Sequence, residues 1–191
     1  MGYKENILLG GAMLLFGVTA FIVGKREQKQ EQATGNNTTG NNTINNSTMN
    51  NSSLPRGYRN NNPLNLRINK NNNWLGKVAN NTDGAFEQFT SMAYGYRAAF
   101  IVIRNYINKY GLNTVSKIIS KWAPAVENNT TGYIQRVCSI SGLSASTVVN
   151  PTDKTTMTKL VYAMSIVENG NTPQPDEDAI TSGWNLYTST L

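Results

Sequence analysis

In the C-terminal two thirds of the chain, apolar residues recur at helical spacing in successive stretches. After Ser91, the residues Tyr96, Ala99, Phe100, Ile103 and Ile107 share one face, which predicts a long helix ended by Gly111. Thr114 opens a second helix, VSKIISKW, which stops before Pro124. Thr130 or Thr131 caps a third, GYIQRVCSISG, closed by Gly142. Thr155 or Thr156 leads into a fourth, MTKLVYAMSIVE, with Leu160, Val161, Ala163, Met164 and Val167 apolar and Glu168 at its end. A last short helix over 176–187 carries three acids in its first turn, as the helix dipole favours. Residues 55–90 lack this period. Short alternations, NLRI and GAFEQF, stand between Asn- and Gly-rich turns and predict a small β-hairpin lobe. The pattern as a whole predicts an α+β domain, mostly helical, over 54–191.

The N-terminal part follows a different pattern. Behind a short tail, residues 1–6, run eighteen residues without a charge, ILLGGAMLLFGVTAFIVG at 7–24, near the lower limit for spanning a bilayer. A secretory signal would continue into small residues placed for cleavage. Here the apolar run ends on KREQKQEQ, so an uncleaved transmembrane helix is expected. Lys25, Arg26 and Lys29 outweigh Lys4, which puts the C-terminal side on the cytoplasmic face by the charge rule. Residues 33–53 are uncharged, Asn-rich and nearly free of large apolar side chains, so 25–53 is expected to be a flexible linker. As a random coil the 21 residues 33–53 would span on the order of 25 Å.

Charge and missing residue types narrow the chemistry. The segment 54–191 has 13 Lys+Arg against 8 Asp+Glu, a net +5. That suits a polyanionic partner and equally suits plain solubility. The basic residues are scattered rather than striped, so no nucleic-acid partner is expected. The chain has no histidine and one cysteine, Cys138, which lies on an apolar stripe with Ile134 and Val137. Ser-His-Asp and Cys-His catalysis are therefore excluded, and a catalytic zinc site is disfavoured. No metal or other cofactor is expected. An enzyme built from this chain must work through carboxylates, lysines, tyrosines or hydroxyls.

Among the eight carboxylates, Glu168 stands out. It follows an apolar helical face at a helix C-terminus, where the dipole opposes a negative charge. A partly dry cleft there would raise its pKa and hold a proton at neutral pH. The bland alternative is a helix-end charge. Glu127, in KWAPAVENNTTGY, reads either as a turn or helix-start charge or as a second carboxyl. Asp83 and Glu87 lie in or beside a turn, TDGAFEQF, and turn formation by Asp83-Gly84 is the stronger reading. Trp74, Trp122 and Trp184 can pack in a core or stack on sugar rings. Trp74, in an Asn-rich loop, has little reason to be buried and is the best ligand candidate of the three. Asn60, Asn61, Asn62 and Asn65 around Pro63 form turns or, with Arg59 or Arg67, bind a glycan.

RGYRNNNPLNLR, Trp74-Leu75-Gly76, TDGAFEQFTSMAYGYRAA, YGLNTVSKIISKWAPAVENNTTGYIQRV and IVENG, taken in order, resemble a family of bacteriophage virion-associated lytic proteins with a lysozyme-like, lytic-transglycosylase-type fold. The resemblance covers nearly all of 55–175. Leu64 departs from the Gly that the family has after this proline. There is also a looser similarity to bacterial glucosaminidases and muramidases. These have a helix-end Glu followed by an Asn loop, a Trp-x-Gly and an aromatic strand. Here the Glu comes last, which implies a circularly permuted arrangement.

The resemblance implies a peptidoglycan-degrading enzyme that cleaves the MurNAc–GlcNAc β-1,4 bond as a muramidase or lytic transglycosylase. Glu168 would be the acid/base and Glu127 the reserve acid or second carboxylate, with Asn61, Asn65, Arg67, Trp74 and Tyr133 lining the cleft. The implied partners are peptidoglycan, a bilayer through residues 7–24, and other virion proteins. The implied location is single-pass, in an internal viral membrane or the host inner membrane. The competing expectation is a non-catalytic virion structural protein that links capsid to membrane or binds peptidoglycan. A murein peptidase is disfavoured by the missing histidine.

Overall fold

The computed structural model describes residues 53–126 and 128–191. Six helices order the chain: α1 (Arg56–Arg59), α2 (Met92–Tyr110), α3 (Val115–Trp122), α4 (Thr130–Ser141), α5 (Lys154–Asn169) and α6 (Glu177–Thr188). Each long helix has an identifiable start and stop. Thr114 caps α3 by accepting from Lys117 N–H, Asn129 caps α4 by accepting from Gly132 N–H, and Asp153 caps α5 by accepting from Thr155 N–H. Asp176 accepts from the N–H groups of Asp178 and Ala179 at the start of α6. Gly111 and Gly142 close α2 and α4 in the left-handed conformation.

The central helix α2 packs along α6 through aromatic faces. Phe100 meets Trp184 edge-on at 5.4 Å, and Tyr187 lies 5.7 Å from Phe100. Such pairs add about 0.5–1.5 kcal/mol each beyond their buried area. On its other side α2 reaches α3, where Tyr106 and Trp122 meet edge-on at 6.3 Å. That contact orients the Trp122 indole. Helix α5 is flanked by α4 and α6 and touched by α1 and α2. Its Met157, Leu160, Val161, Ala163 and Met164 are fully enclosed.

The expected α+β, lysozyme-like fold with a β-hairpin lobe is not found. Among the described residues there is no strand, only isolated antiparallel bridges, Arg67 with Phe86, Lys77 with Phe89 and Thr114 with Val148. The reason lies in the Asn-rich composition of 60–90. Fully buried Asn62 donates to the carbonyls of Leu66 and Glu87 and accepts from Leu66 N–H, all at 2.9 Å. Asn81 donates to Phe86 C=O, and Asp83 accepts from the N–H groups of Ala85 and Phe86. These side chains satisfy backbone groups that a ladder would otherwise pair. Residues 60–90 are an irregular lobe against a helical frame.

The expected transmembrane helix over 7–24, the tail before it and the linker through residue 52 lie outside the described residues. Among the described residues no helix is long and apolar enough to cross a membrane. Even α2, at 19 residues, carries Arg97, Arg104 and Lys109. On that finding the expected single-pass location in a viral or host membrane does not stand.

Candidate functional site

The last turn of α5 delivers Glu168 to a polar knot at the edge of the core. Ile166 C=O accepts from Gly170 N–H at 2.8 Å, and Gly170 leaves the helix with φ +81°. A side chain at that φ would be strained, so the glycine lets the chain turn away directly after the glutamate. Glu168 is 8% exposed. Its Oε1 accepts from Trp122 Nε1 at 3.0 Å and from Tyr133 Oη at 2.9 Å, while Oε2 accepts from Asn65 Nδ2 at 3.1 Å. Three separate elements therefore converge on one carboxyl: the end of α3, the first turn of α4, and the Asn60–Asn65 loop.

Every one of these donors is uncharged, and among the described residues Glu168 has no ion pair. Burial disfavours the carboxylate, and the hydrogen bonds from Asn65, Tyr133 and Trp122 only partly offset this. The carboxyl is pushed up from its ordinary 4.5 to about 7. The C-terminal end of the α5 dipole acts in the same direction. Burial, and then the neighbouring Glu168, push the Tyr133 hydroxyl well above its usual range, so it stays a donor.

The loop that carries Asn65 depends on asparagine twice. Asn61 and Asn65 adopt left-handed backbone, φ 49° and 48°, which asparagine tolerates better than other side-chain-bearing residues. Asn61 donates to Phe89 C=O at 3.0 Å and braces the loop from outside the knot. Asn169 donates to Pro63 C=O at 2.6 Å and to Ser165 C=O at 2.9 Å, so the loop is fastened to α5 itself.

Of the residues expected around the cleft, the fold joins Asn65 and Tyr133 to Glu168. Arg67 lies over the Phe86 ring, 5.2 Å from its centroid, and is not among the hydrogen-bond donors to the carboxyl. Trp74 is 5% exposed and belongs to the core, although its loop is polar. Glu127 lies outside the described residues. Trp122 was not among the expected cleft residues, and it both packs in the core and bonds the carboxyl. The spacing of Val115, Ile118, Ile119 and Trp122 announces its burial but not which polar group its ring nitrogen meets.

Asp83 and Glu87 are otherwise engaged. Arg56 donates to Asp83 through two bonds, 2.6 and 2.7 Å, and Asn60 adds a third at 2.7 Å. Burial works against the Asp83 charge, but these bonds and the N–H groups of Phe86 and Ala85 outweigh it and hold the carboxyl well below its usual range. Glu87 is fully buried, with Lys77 Nζ at 2.9 Å from Oε2 and 3.1 Å from Oε1. Among the described residues no cluster of His, Cys, Asp or Glu could hold a metal ion.

No family model matches the chain. It is similar to Protein P5 of Pseudoalteromonas phage PM2, 36% identical over 136 residues that cover 69% of this chain and 82% of that protein. The bacteriophage half of the expected kinship is shown at that level, whereas nothing shows the lysozyme-like family. A buried, uncharged-donor carboxyl knot thus sits in a chain that belongs to the family of the phage PM2 Protein P5.

Proposed function

We propose that this chain is a virion-associated phage protein that cleaves the glycan of peptidoglycan, with Glu168 as general acid and base. One observation carries the reading: a buried carboxyl with three neutral donors and no cation, pushed up to about 7. Such a group is partly protonated at neutral pH and can donate to a glycosidic oxygen. Oε1 already accepts two hydrogen bonds, so both of its lone pairs are in use. Oε2 accepts one, which leaves a position for the proton.

In the proposed reaction, Oε2–H passes its proton to the oxygen between MurNAc and GlcNAc as the C1–O bond breaks. The carboxylate then formed is held by Trp122, Tyr133 and Asn65. An incoming hydroxyl, from water or from the sugar itself, attacks C1 and returns its proton to Oε2. Positive charge on the sugar ring is shed in that step, and Glu168 ends as it began.

A second reading is favoured by the double occupancy of Oε1. The knot would then be a core brace in a virion structural protein with no turnover. Mass spectrometry of fragments released from purified cell walls by wild type and Glu168→Gln separates the two. The catalytic reading expects disaccharide-containing fragments from wild type and a loss of about 10²–10⁴-fold in the variant. No release by either would leave the structural reading standing, and equal release by both would remove Glu168 from the catalytic role.

A further inference from the structure

The Glu168 knot depends on a neighbour that never touches the carboxyl. Asn169 follows Glu168 in the last turn of α5, yet its side chain points to the loop. Its two amide hydrogens are both used, one on Pro63 C=O at 2.6 Å and one on Ser165 C=O at 2.9 Å. Its Oδ1 is buried and has no hydrogen-bond partner. The side chain is kept for what it donates.

The surroundings of Asn169 are built to admit it. Gly57 in α1 lies directly against the amide: a Cβ there would collide with Asn169 Oδ1 and would come within 2.9 Å of Asn62 C=O. The small residue in α1 is thereby explained by a close approach rather than by helix propensity, which glycine lowers. The carbonyl that Asn169 holds, Pro63 C=O, lies two residues before Asn65, whose left-handed backbone aims its amide at Oε2.

We propose that Asn169 is a positioning residue for Glu168: by fastening the Asn60–Asn65 loop to the end of α5, it holds the Asn65 amide on Oε2. The clamp therefore sets how tightly Glu168 holds its proton. Tyr133, from α4, is the titratable group in contact with the carboxyl, and Trp122 and Asn65 carry no charge. Tyr96 on α2 turns to Ser165 and Tyr58 on α1 turns to Pro173 C=O; neither bonds Glu168. Among the described residues α6 sends no hydrogen bond to it. Aspartate cannot replace Asn169, because a carboxylate would face two carbonyl oxygens.

The relevance to catalysis rests on the proposed function, but the test does not need substrate. The Glu168 carboxyl is titrated by ¹³C NMR in the intact, folded protein for wild type, Asn65→Ala, Asn169→Ala and the double variant. Removing a donor from the charged form makes it less favourable, so Asn169→Ala and Asn65→Ala should each tighten proton binding by roughly tenfold. The double variant should shift no further than Asn65→Ala alone. Should Asn169→Ala fail to fold, Asn169→Ser, which keeps one donor, should give a smaller shift in the same direction. Gly57→Ala, acting from α1, should move the midpoint the same way. An unchanged midpoint in the folded Asn169 variants, with Asn65→Ala shifted, overturns the proposal. So does an Asn169 effect that persists in full when Asn65 is already alanine. Failure of wild type to cut cell walls would sink the catalytic reading and leave this result untouched.

Discussion

Glu87 and Glu168 are both buried carboxyls, and the protein treats them in opposite ways. Glu87 lies wholly inside the Asn-rich lobe with the Lys77 ammonium against both oxygens. Glu168 lies at the end of a helix among an indole, a phenol and an amide, with no cation in the knot. A countercharge stands against the first. Neutral donors in a dry setting leave the second free to exchange a proton near neutral pH. Burial alone therefore does not set how a carboxyl holds its proton. The identity of the donors does.

That contrast can be broken from either side. The largest effect is expected from Lys77→Met, which strips Glu87 of its partner inside the lobe. Glu87 is fully buried although the Lys77 side chain is 28% exposed; removing the partner of an enclosed acid costs up to about 3–5 kcal/mol, so thermal or urea unfolding should show marked destabilisation. A loss below about 1 kcal/mol would mean that the pair is not buried in solution.

A comparable effect, of opposite meaning, is expected at Glu168 from pH. Its folded value, about 7, stands above its ordinary 4.5, so the folded state binds the proton more tightly than the unfolded one. Wild type should therefore lose stability as pH rises from about 4.5 to about 7, by on the order of 3 kcal/mol for a difference of about 2.5 pH units. Glu168→Gln should be flat across this window, since an amide does not titrate. Asn65 can turn its unpartnered Oδ1 towards the new N–H₂. Urea denaturation of both proteins at pH 5 and pH 8 measures the difference, and parallel behaviour would exclude a raised carboxyl. Asp83, held low, loses its contribution only at more acid pH and does not interfere.

The smallest of the three effects belongs to Tyr133→Phe. The variant removes one of two donors to Oε1 and should cost about 1–3 kcal/mol of stability at most. If Glu168 is the proposed acid, the variant should also move the alkaline limb of wall cleavage to higher pH, because the carboxylate is less well held. A limb that moves to lower pH would contradict the role assigned to the phenol.

The helical frame was legible because its period is long and its punctuation is chemical. Helix α2 runs between Ser91 and Gly111, and α3 between Thr114 and Ala123, where the apolar spacing places them, although Ser91 makes no cap bond and Thr114 does. Caps shift by a residue or two elsewhere, with Asn129 and Asp153 in place of the threonines that follow them. The lobe was not legible as it stands. Short alternations such as NLRI predict strands, but Asn62, Asn81 and Asp83 capture the backbone groups that strands would share. Helix α1, one turn long, is too short for a period to appear.

The site was half legible. Glu168 is exposed to inference by its place after an apolar face, and Asn65 by its position in an Asn-rich turn. That Trp122 and Tyr133 share one oxygen of Glu168 is a matter of the register between α3, α4 and α5. No spacing within a single helix encodes that register. Trp74 shows the converse, since a polar loop sequence conceals a core side chain.

Whether Glu168 is a neutral acid in the folded protein is measured most directly by its own titration. With ¹³C-labelled glutamate and Glu168→Gln to assign the resonance, the carboxyl carbon is followed from pH 3 to pH 9 in wild type. A midpoint near 7 is predicted. A midpoint in the ordinary carboxylate range, near 4.5, would contradict the account, because the acid would have no proton to give at neutral pH.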